Sequence, residues 1–221
     1  MLHGSSPFAT KKMANKIKYL IGIDEVGRGC LAGPIAVTAL VLPLKFKVAS
    51  FKFKVPLRDS KKLSAAQRER WAEHAKNHPQ IFYATAYVYP KAIERINISQ
   101  AANLAATRCV KRLMTRNKKL MTNNEFRVLL DGGLFIGRSL VSSHKLSVRT
   151  VVRGDEKFNC IKLASIVAKV SRDRAMRRLH RKFPEYGLDQ HKGYGTSQHV
   201  AAIKKHGPSP IHRLTFIGNL V

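Results

Sequence analysis

Acidic side chains are scarce in this sequence: 13 Asp and Glu stand against 41 Lys and Arg in 221 residues, a formal charge of +28. That imbalance excludes a surface of paired charges and points to a polyanionic partner, because neutralising phosphates releases condensed counterions and makes binding steeply salt-dependent. Nucleic acid is the first expectation. Cysteine is sparse too. Cys30, Cys109 and Cys160 are odd in number and lack metal-type spacing, which argues against a disulfide framework or a zinc site and for reduced thiols in the cytoplasm. Long apolar runs are missing. The longest, Ile35 to Leu44, contains Thr38 and Pro43 and stops at Lys45, well short of the ~20 residues of a membrane span. Met1 to Ile17 has neither an apolar core nor a small-residue cleavage site, so it does not read as a secretory signal, and Met13 is an alternative start. No internal repeat or low-complexity block is present.

What is present is enough to fold. Apolar residues make up 44% of the chain, and a domain of this size buries roughly 70% of the surface its unfolded chain exposes. The expectation is one domain over residues 18–221, preceded by a flexible extension at residues 1–17. Short β-branched or aromatic runs predict strands at Tyr19 to Ile23, Ile35 to Leu42, Ile81 to Val88, Phe126 to Leu130 and Leu146 to Val152. Ser64 followed by Gln67 is a capping-box signature for a helix ending near Asn77. Ala92 to Met114 reads as a helix broken near Asn97 to Ser99. Asn159 to about Phe183 reads as a long amphipathic helix with Arg172, Arg174, Arg177, Arg178 and Arg181 crowded in its later half, and Thr196 to His206 as a last one ended by Gly207. Lys45 to Lys54, with alternating lysines and apolar residues, resembles an edge-strand or hairpin insertion.

In so basic a chain each acid is informative. Glu69, Glu73, Glu94 and Glu185 sit on or beside predicted helices among bases, where ion pairing on a solvated face is the ordinary explanation. Asp24, Glu25, Asp131 and Asp155 differ, since each follows an apolar strand and lies close to glycine. Carboxylates gathered at neighbouring strand ends repel one another unless a cation neutralises them. All-oxygen donors suit Mg²⁺ or Mn²⁺, and a two-metal site would hydrolyse phosphodiesters.

Gly22-Ile-Asp-Glu-Val-Gly-Arg-Gly29, continuing through Cys30 to Pro34, resembles the first motif of the ribonuclease HII family. In order there follow Asp59-Ser-Lys-Lys-Leu-Ser64, Ile96-Asn-Ile98, Leu130-Asp-Gly132, Gly154-Asp155, Ala164-Ser-Ile-Val-Ala-Lys-Val170, Arg172-Asp-Arg174, His191-Lys-Gly-Tyr-Gly-Thr196 and Gly207-Pro-Ser-Pro-Ile-His-Arg213. The resemblance covers about residues 18 to 216. It implies a ribonuclease H-like α/β fold: a mixed sheet with its first three strands antiparallel, flanked by helices, with a helical C-terminal extension. It further implies a metal-dependent endonuclease acting on RNA–DNA hybrids and on ribonucleotides embedded in duplex DNA, working as a monomer in ribonucleotide and primer removal. Asp24, Glu25, Asp131 and Asp155 would be its metal-site acids, Asp24 shared by both ions. Gly27, Arg28 and Gly29 with Tyr194 would read the 2′-hydroxyl, which alone distinguishes RNA from DNA at one position. Lys61, Lys62 and Lys169 are candidate phosphate contacts.

Glu156-Lys-Phe158 and Cys160-Ile-Lys-Leu163 depart from the family pattern, and the acid beside Asp155 is expected to perturb metal affinity. Asp173, between Arg172 and Arg174, is expected to form a structural ion pair with them. Trp71 is expected in the core; His191 and His212 read either as polar core residues or as phosphate contacts. No clamp-binding peptide is evident after Phe216, which leaves recruitment by a replication clamp open. A non-catalytic ribosomal-type RNA-binding protein would share the charge but needs no strand-end acids. Ribonuclease HIII, the sister family, typically has an added N-terminal domain and a lysine in place of Arg28.

Overall fold

Alternation of β-branched and small residues builds a five-stranded sheet in the order β3-β2-β1-β4-β5. The strands are β1 (Ile17–Val26), β2 (Ile35–Pro43), β3 (Phe82–Val88), β4 (Glu125–Asp131) and β5 (Ser147–Val151). β1, β2 and β3 are antiparallel neighbours, whereas β4 runs parallel to β1 and β5 parallel to β4. The structure, a computed structural model, describes residues 17–48, 55–122, 124–144 and 146–220. The expected extension, apart from Ile17, and residues 49–54 of the lysine-rich segment lie outside them. Lys45 to Val48 contains no strand; a turn follows β2 directly.

Three longer helices cover the sheet, α1 (Ala65–Asn77), α2 (Pro90–Arg116) and α3 (Asn159–His180), and a fourth, α4 (Ser197–His206), packs in the C-terminal part. The Ser64–Gln67 capping box forms as its spacing predicts, each side chain accepting from the other residue's backbone N–H. α2 breaks at Asn97 (φ 61°, ψ 168°), whose Oδ1 accepts from Gln100 N and restarts the helix. On β1 and β2 the period-two pattern sorts side chains between two cores. Ile21, Ile23, Val37, Ala39 and Val41 meet Ala101, Ala105, Cys109 and Leu113 of α2. Leu40, Leu42 and Leu129 meet Trp71 of α1 and Ile161, Ala164 and Val167 of α3. A third cluster, with Ala32, Met176, Tyr186, Ile203 and Ile217, holds the C-terminal helical part. All three cysteines are free and buried, and burial pushes the Cys109 and Cys160 thiols up to about 12.

The alternation also sets where α3 sits. Gly22 lies on the β1 face turned toward α3, and a Cβ there would be 2.3 Å from the Cys160 carbonyl carbon and 2.4 Å from Ile161 N. Two backbones can approach so closely only through glycine. Gly22→Ala is therefore expected to lose roughly 1–3 kcal/mol by overpacking, read as a lower melting temperature; an unchanged melt would mean that α3 shifts aside at no cost.

Candidate active site

Parallel pairing of β1, β4 and β5 puts their carboxyl ends on one edge of the sheet, the usual location of ligands in open α/β sheets. Asp24 and Glu25 close β1 and Asp131 closes β4. Asp155 does not sit on a strand end. β5 stops at Val151, the chain turns through Arg153 in a left-handed conformation (φ 55°), and the one-turn helix Gly154–Lys157 carries the acid. Asp131 Oδ1 accepts from Gly154 N at 2.7 Å and pins that turn. The four acids line one cleft of about 310 Å³.

Burial and mutual repulsion dominate their electrostatics. Asp24 is 6% exposed; burial, then the Glu25 and Asp131 charges, hold it well above the usual carboxylate range, against a hydrogen bond from Ser165. Burial also raises Glu25, with Arg28 opposing, and Asp155, with Asp131 and Asp59 adding to the rise and Lys61 opposing it. Glu25 Oε1 accepts from Arg28 Nε at 3.0 Å, whereas its buried Oε2 has no hydrogen-bond partner among the described residues. Among the described residues no three His, Cys, Asp or Glu side chains are grouped closely enough to hold a metal ion between them. The donor set still fits a hard divalent cation, because it is all oxygen, mutually repulsive and carries an unused acceptor. Glu156, the extra acid, is held by Arg153 at 2.7 Å and lies outside the lining of the cleft.

Gly27, Arg28, Gly29, Lys61, Lys169 and Tyr194 line the same cleft. Lys62 is exposed and not part of that lining. Arg68, Ser60 and Ser165 also line it, though sequence reading gave them no role. Ser60 and Ser165 lie inside quoted motifs and are joined Oγ to Oγ at 2.9 Å. Arg68 donates to the Ser60 and Leu63 carbonyls. Asp173 does form an ion pair, but with Lys169 at 2.8 Å rather than with its neighbouring arginines. Residues four apart share a helix face and adjacent ones do not.

The loop from Gly27 to Pro34 is held from beneath by two fully buried arginines, Arg172 and Arg213, to which the sequence assigned no role here beyond membership of the quoted motifs. Arg213 donates to the carbonyls of Gly27 (2.7 Å), Arg28 (2.8 Å) and Gly33 (3.0 Å). Arg172 donates to Pro34 (2.9 Å), Lys192 (2.8 Å) and Ala32 (3.1 Å). Gly27 has φ +90°, and a Cβ on it would collide with Arg172 Nε; nothing within 4 Å would meet one on Gly29. Tyr194, 40% exposed, stands 5.8 Å from both Lys169 Nζ and the Arg172 guanidinium carbon. His212 is a core residue, 2% exposed, with Nε2 at 3.2 Å from Nε2 of His199, whose pKa burial lowers to about 4. His191, half-buried, donates to the Tyr186 carbonyl.

A mixed sheet with an acid-lined cleft at its carboxyl edge defines a ribonuclease H-like protein. Comparisons narrow this. The Ribonuclease HII profile matches residues 21–219. A ribonuclease HII of Nitratidesulfovibrio vulgaris is 40% identical over 202 residues, spanning 89% of this chain and 85% of that protein. The chain belongs to the ribonuclease HII family and is an endoribonuclease of the ribonuclease H type. Among solved structures, RNase HII of Archaeoglobus fulgidus, in complex with PCNA, aligns with a TM-score of 0.67 at 26% identity over 88% of this chain and 93% of that one. Bst-RNase HIII in complex with Mn²⁺ shares the fold, with a TM-score of 0.67 at 19% identity over 97% of this chain and 72% of that one. No described helix is long and apolar enough to cross a membrane.

Proposed function

We propose that this chain hydrolyses the RNA strand of RNA–DNA hybrids and cuts duplex DNA at embedded ribonucleotides, with Mg²⁺ or Mn²⁺ at a two-metal site formed by Asp24, Glu25, Asp131 and Asp155. The observation that carries the reading is the orphaned, buried Glu25 Oε2 in a cleft where burial and neighbouring carboxylates raise Asp24, Glu25 and Asp155. Bound there, the cation supplies a nucleophilic water at neutral pH and stabilises charge on the leaving oxygen. Residues 18–221 act as one catalytic unit in ribonucleotide and primer removal.

The chain's own groups position the polyanion. Lys61, Lys169 and Arg68 on the cleft wall bind phosphates, while Gly29, open to the cleft, lets backbone approach the sugar. The 2′-hydroxyl is recognised without acting as nucleophile, so water attacks phosphorus and the 3′ oxygen leaves. With duplexes holding one or four ribonucleotides, cutting is expected in Mg²⁺ or Mn²⁺ but not EDTA, leaving 3′-hydroxyl and 5′-phosphate ends. Cyclic phosphate products or EDTA-resistant cutting would refute the reading.

Ribose sensing is separable from affinity. Tyr194→Ala is expected to slow cleavage at a single ribonucleotide about ten- to a hundredfold, the worth of one aromatic stacking contact. It should weaken duplex binding less. Lys61→Ala should instead weaken binding to hybrid, ribonucleotide-containing and all-DNA duplexes alike and make the salt slope shallower. If the two variants behave identically on all three, Tyr194 is a generic contact.

A further inference from the structure

α3 carries a row of side chains that begins in the cleft and leaves it. Lys169, Asp173, Arg177 and Arg181 are spaced four apart, each a neighbour of the next in a row that winds about 40° round the axis per step and ends at Arg181, which caps α3. Lys169 belongs to the cleft wall and pairs with Asp173; past that pair the row turns positive. Arg174, Arg177, Arg178, His180, Arg181 and Asp189 line a second, open groove of about 480 Å³. All four arginines are exposed. Two carboxylates face them: Glu69 of α1, shared by Arg174 and Arg177, and Asp189, whose Oδ1 lies 3.3 Å from His180 Nδ1. In a chain this basic an unbalanced face is ordinary; what marks this one is that its exposed arginines line a single groove whose row begins at the cleft wall. The groove leaves an excess of guanidiniums, the group whose planar fork matches phosphate oxygens.

The distance is telling. At about 1.5 Å per residue, Arg181 lies about 18 Å along the helix from Lys169. Half a turn of B-form duplex is about 17 Å. We propose that this groove docks the phosphate backbone of the duplex DNA flanking the cleavage site, about half a turn away from it. The proposal rests on the reading of the acid-lined cleft as the cleavage site.

Its test compares the unmutated protein with R177Q/R181Q in EDTA, by fluorescence anisotropy. The probes are a duplex of about 24 base pairs and a hairpin of about 8, the shorter one ending within half a turn of its single central ribonucleotide. The variant should lose about tenfold in affinity for the long duplex and less than twofold for the hairpin, and its slope of log affinity against log salt should be shallower by about two. Equal losses on both probes, or an unchanged slope, would overturn the proposal. So would a loss confined to single-stranded RNA or to an acidic peptide, which would name another occupant. Cutting of both probes by the unmutated protein in Mn²⁺ is the separate check on the cleft: if it cuts both while the groove variant matches it in binding, the groove assignment alone fails; if it cuts neither, the cleft reading fails and takes the groove with it.

Discussion

Asp24→Asn is expected to slow hybrid cleavage by about two to three orders of magnitude, the usual cost of deleting one preorganised electrostatic group, while raising the melting temperature measured in EDTA. The two effects share one cause. Asp24 is buried beside Glu25 and Asp131, so its pKa in the folded chain lies above the unfolded value of about 3.9. Between those two values the folded state binds more protons than the unfolded one. Stability therefore falls as pH rises through that window and stays at the lower level above it. Above that window the carboxylate, ionised in both states, costs the folded chain stability unless a cation balances it. The amide removes that cost while its oxygen still accepts from Glu25 N, a bond of 2.8 Å in the unmutated protein. A gain of about 1 kcal/mol is worth about 2–4 °C in a domain of this size, and it should vanish in acid. Near-normal cleavage would remove Asp24 from the machinery; lost activity with a lower melting temperature would assign the loss to folding.

Arg213→Ala is expected to have the largest effect on stability. It strips the donors from the Gly27 and Gly33 carbonyls, where the bonds are buried, and from the half-buried Arg28 carbonyl. Each buried group left unpaired costs about 1–3 kcal/mol, and together a loss of about 3–5 kcal/mol follows, or a melting temperature lower by roughly 10 °C or more. Burial lowers the guanidinium's pKa to about 10, so it remains a charged donor at neutral pH. Lysine should rescue only part of the loss, because a single ammonium cannot reproduce a fork that reaches three carbonyls. Trp71, the chain's single tryptophan and 1% exposed, reports unfolding in urea directly. A loss under about 1 kcal/mol, the net worth of a single ordinary hydrogen bond, would show that the Gly27–Gly33 loop holds its shape without this clamp.

The carboxylates illustrate how far sequence reaches. Asp24, Glu25 and Asp131 were legible because each ends an apolar run, and the strand that places them is specified by its own residues. Asp155 was legible as an acid near that edge but not as part of a one-turn helix, since four residues carry too little pattern to reveal a turn. Lys61 and Lys169 could not be told from Lys62 by residue type; only the first two line the cleft.

By itself, then, the sequence determined what depends on near neighbours: the strands, the Ser64–Gln67 cap, the break at Asn97, the carboxylates that follow apolar runs, and, through its ordered motifs, the family. The tertiary structure decided which distant pieces meet. Arg172 and Arg213 lie inside quoted motifs, but nothing beside them marks them as interior groups, since the carbonyls they bind lie 20 to 186 positions away along the chain. A guanidinium is stable in the interior only where such carbonyls converge. That convergence follows from the packing of α3 beneath the loop and from the Ala32–His212 bridge that ties the C-terminal segment to it, and no local pattern in the chain encodes either.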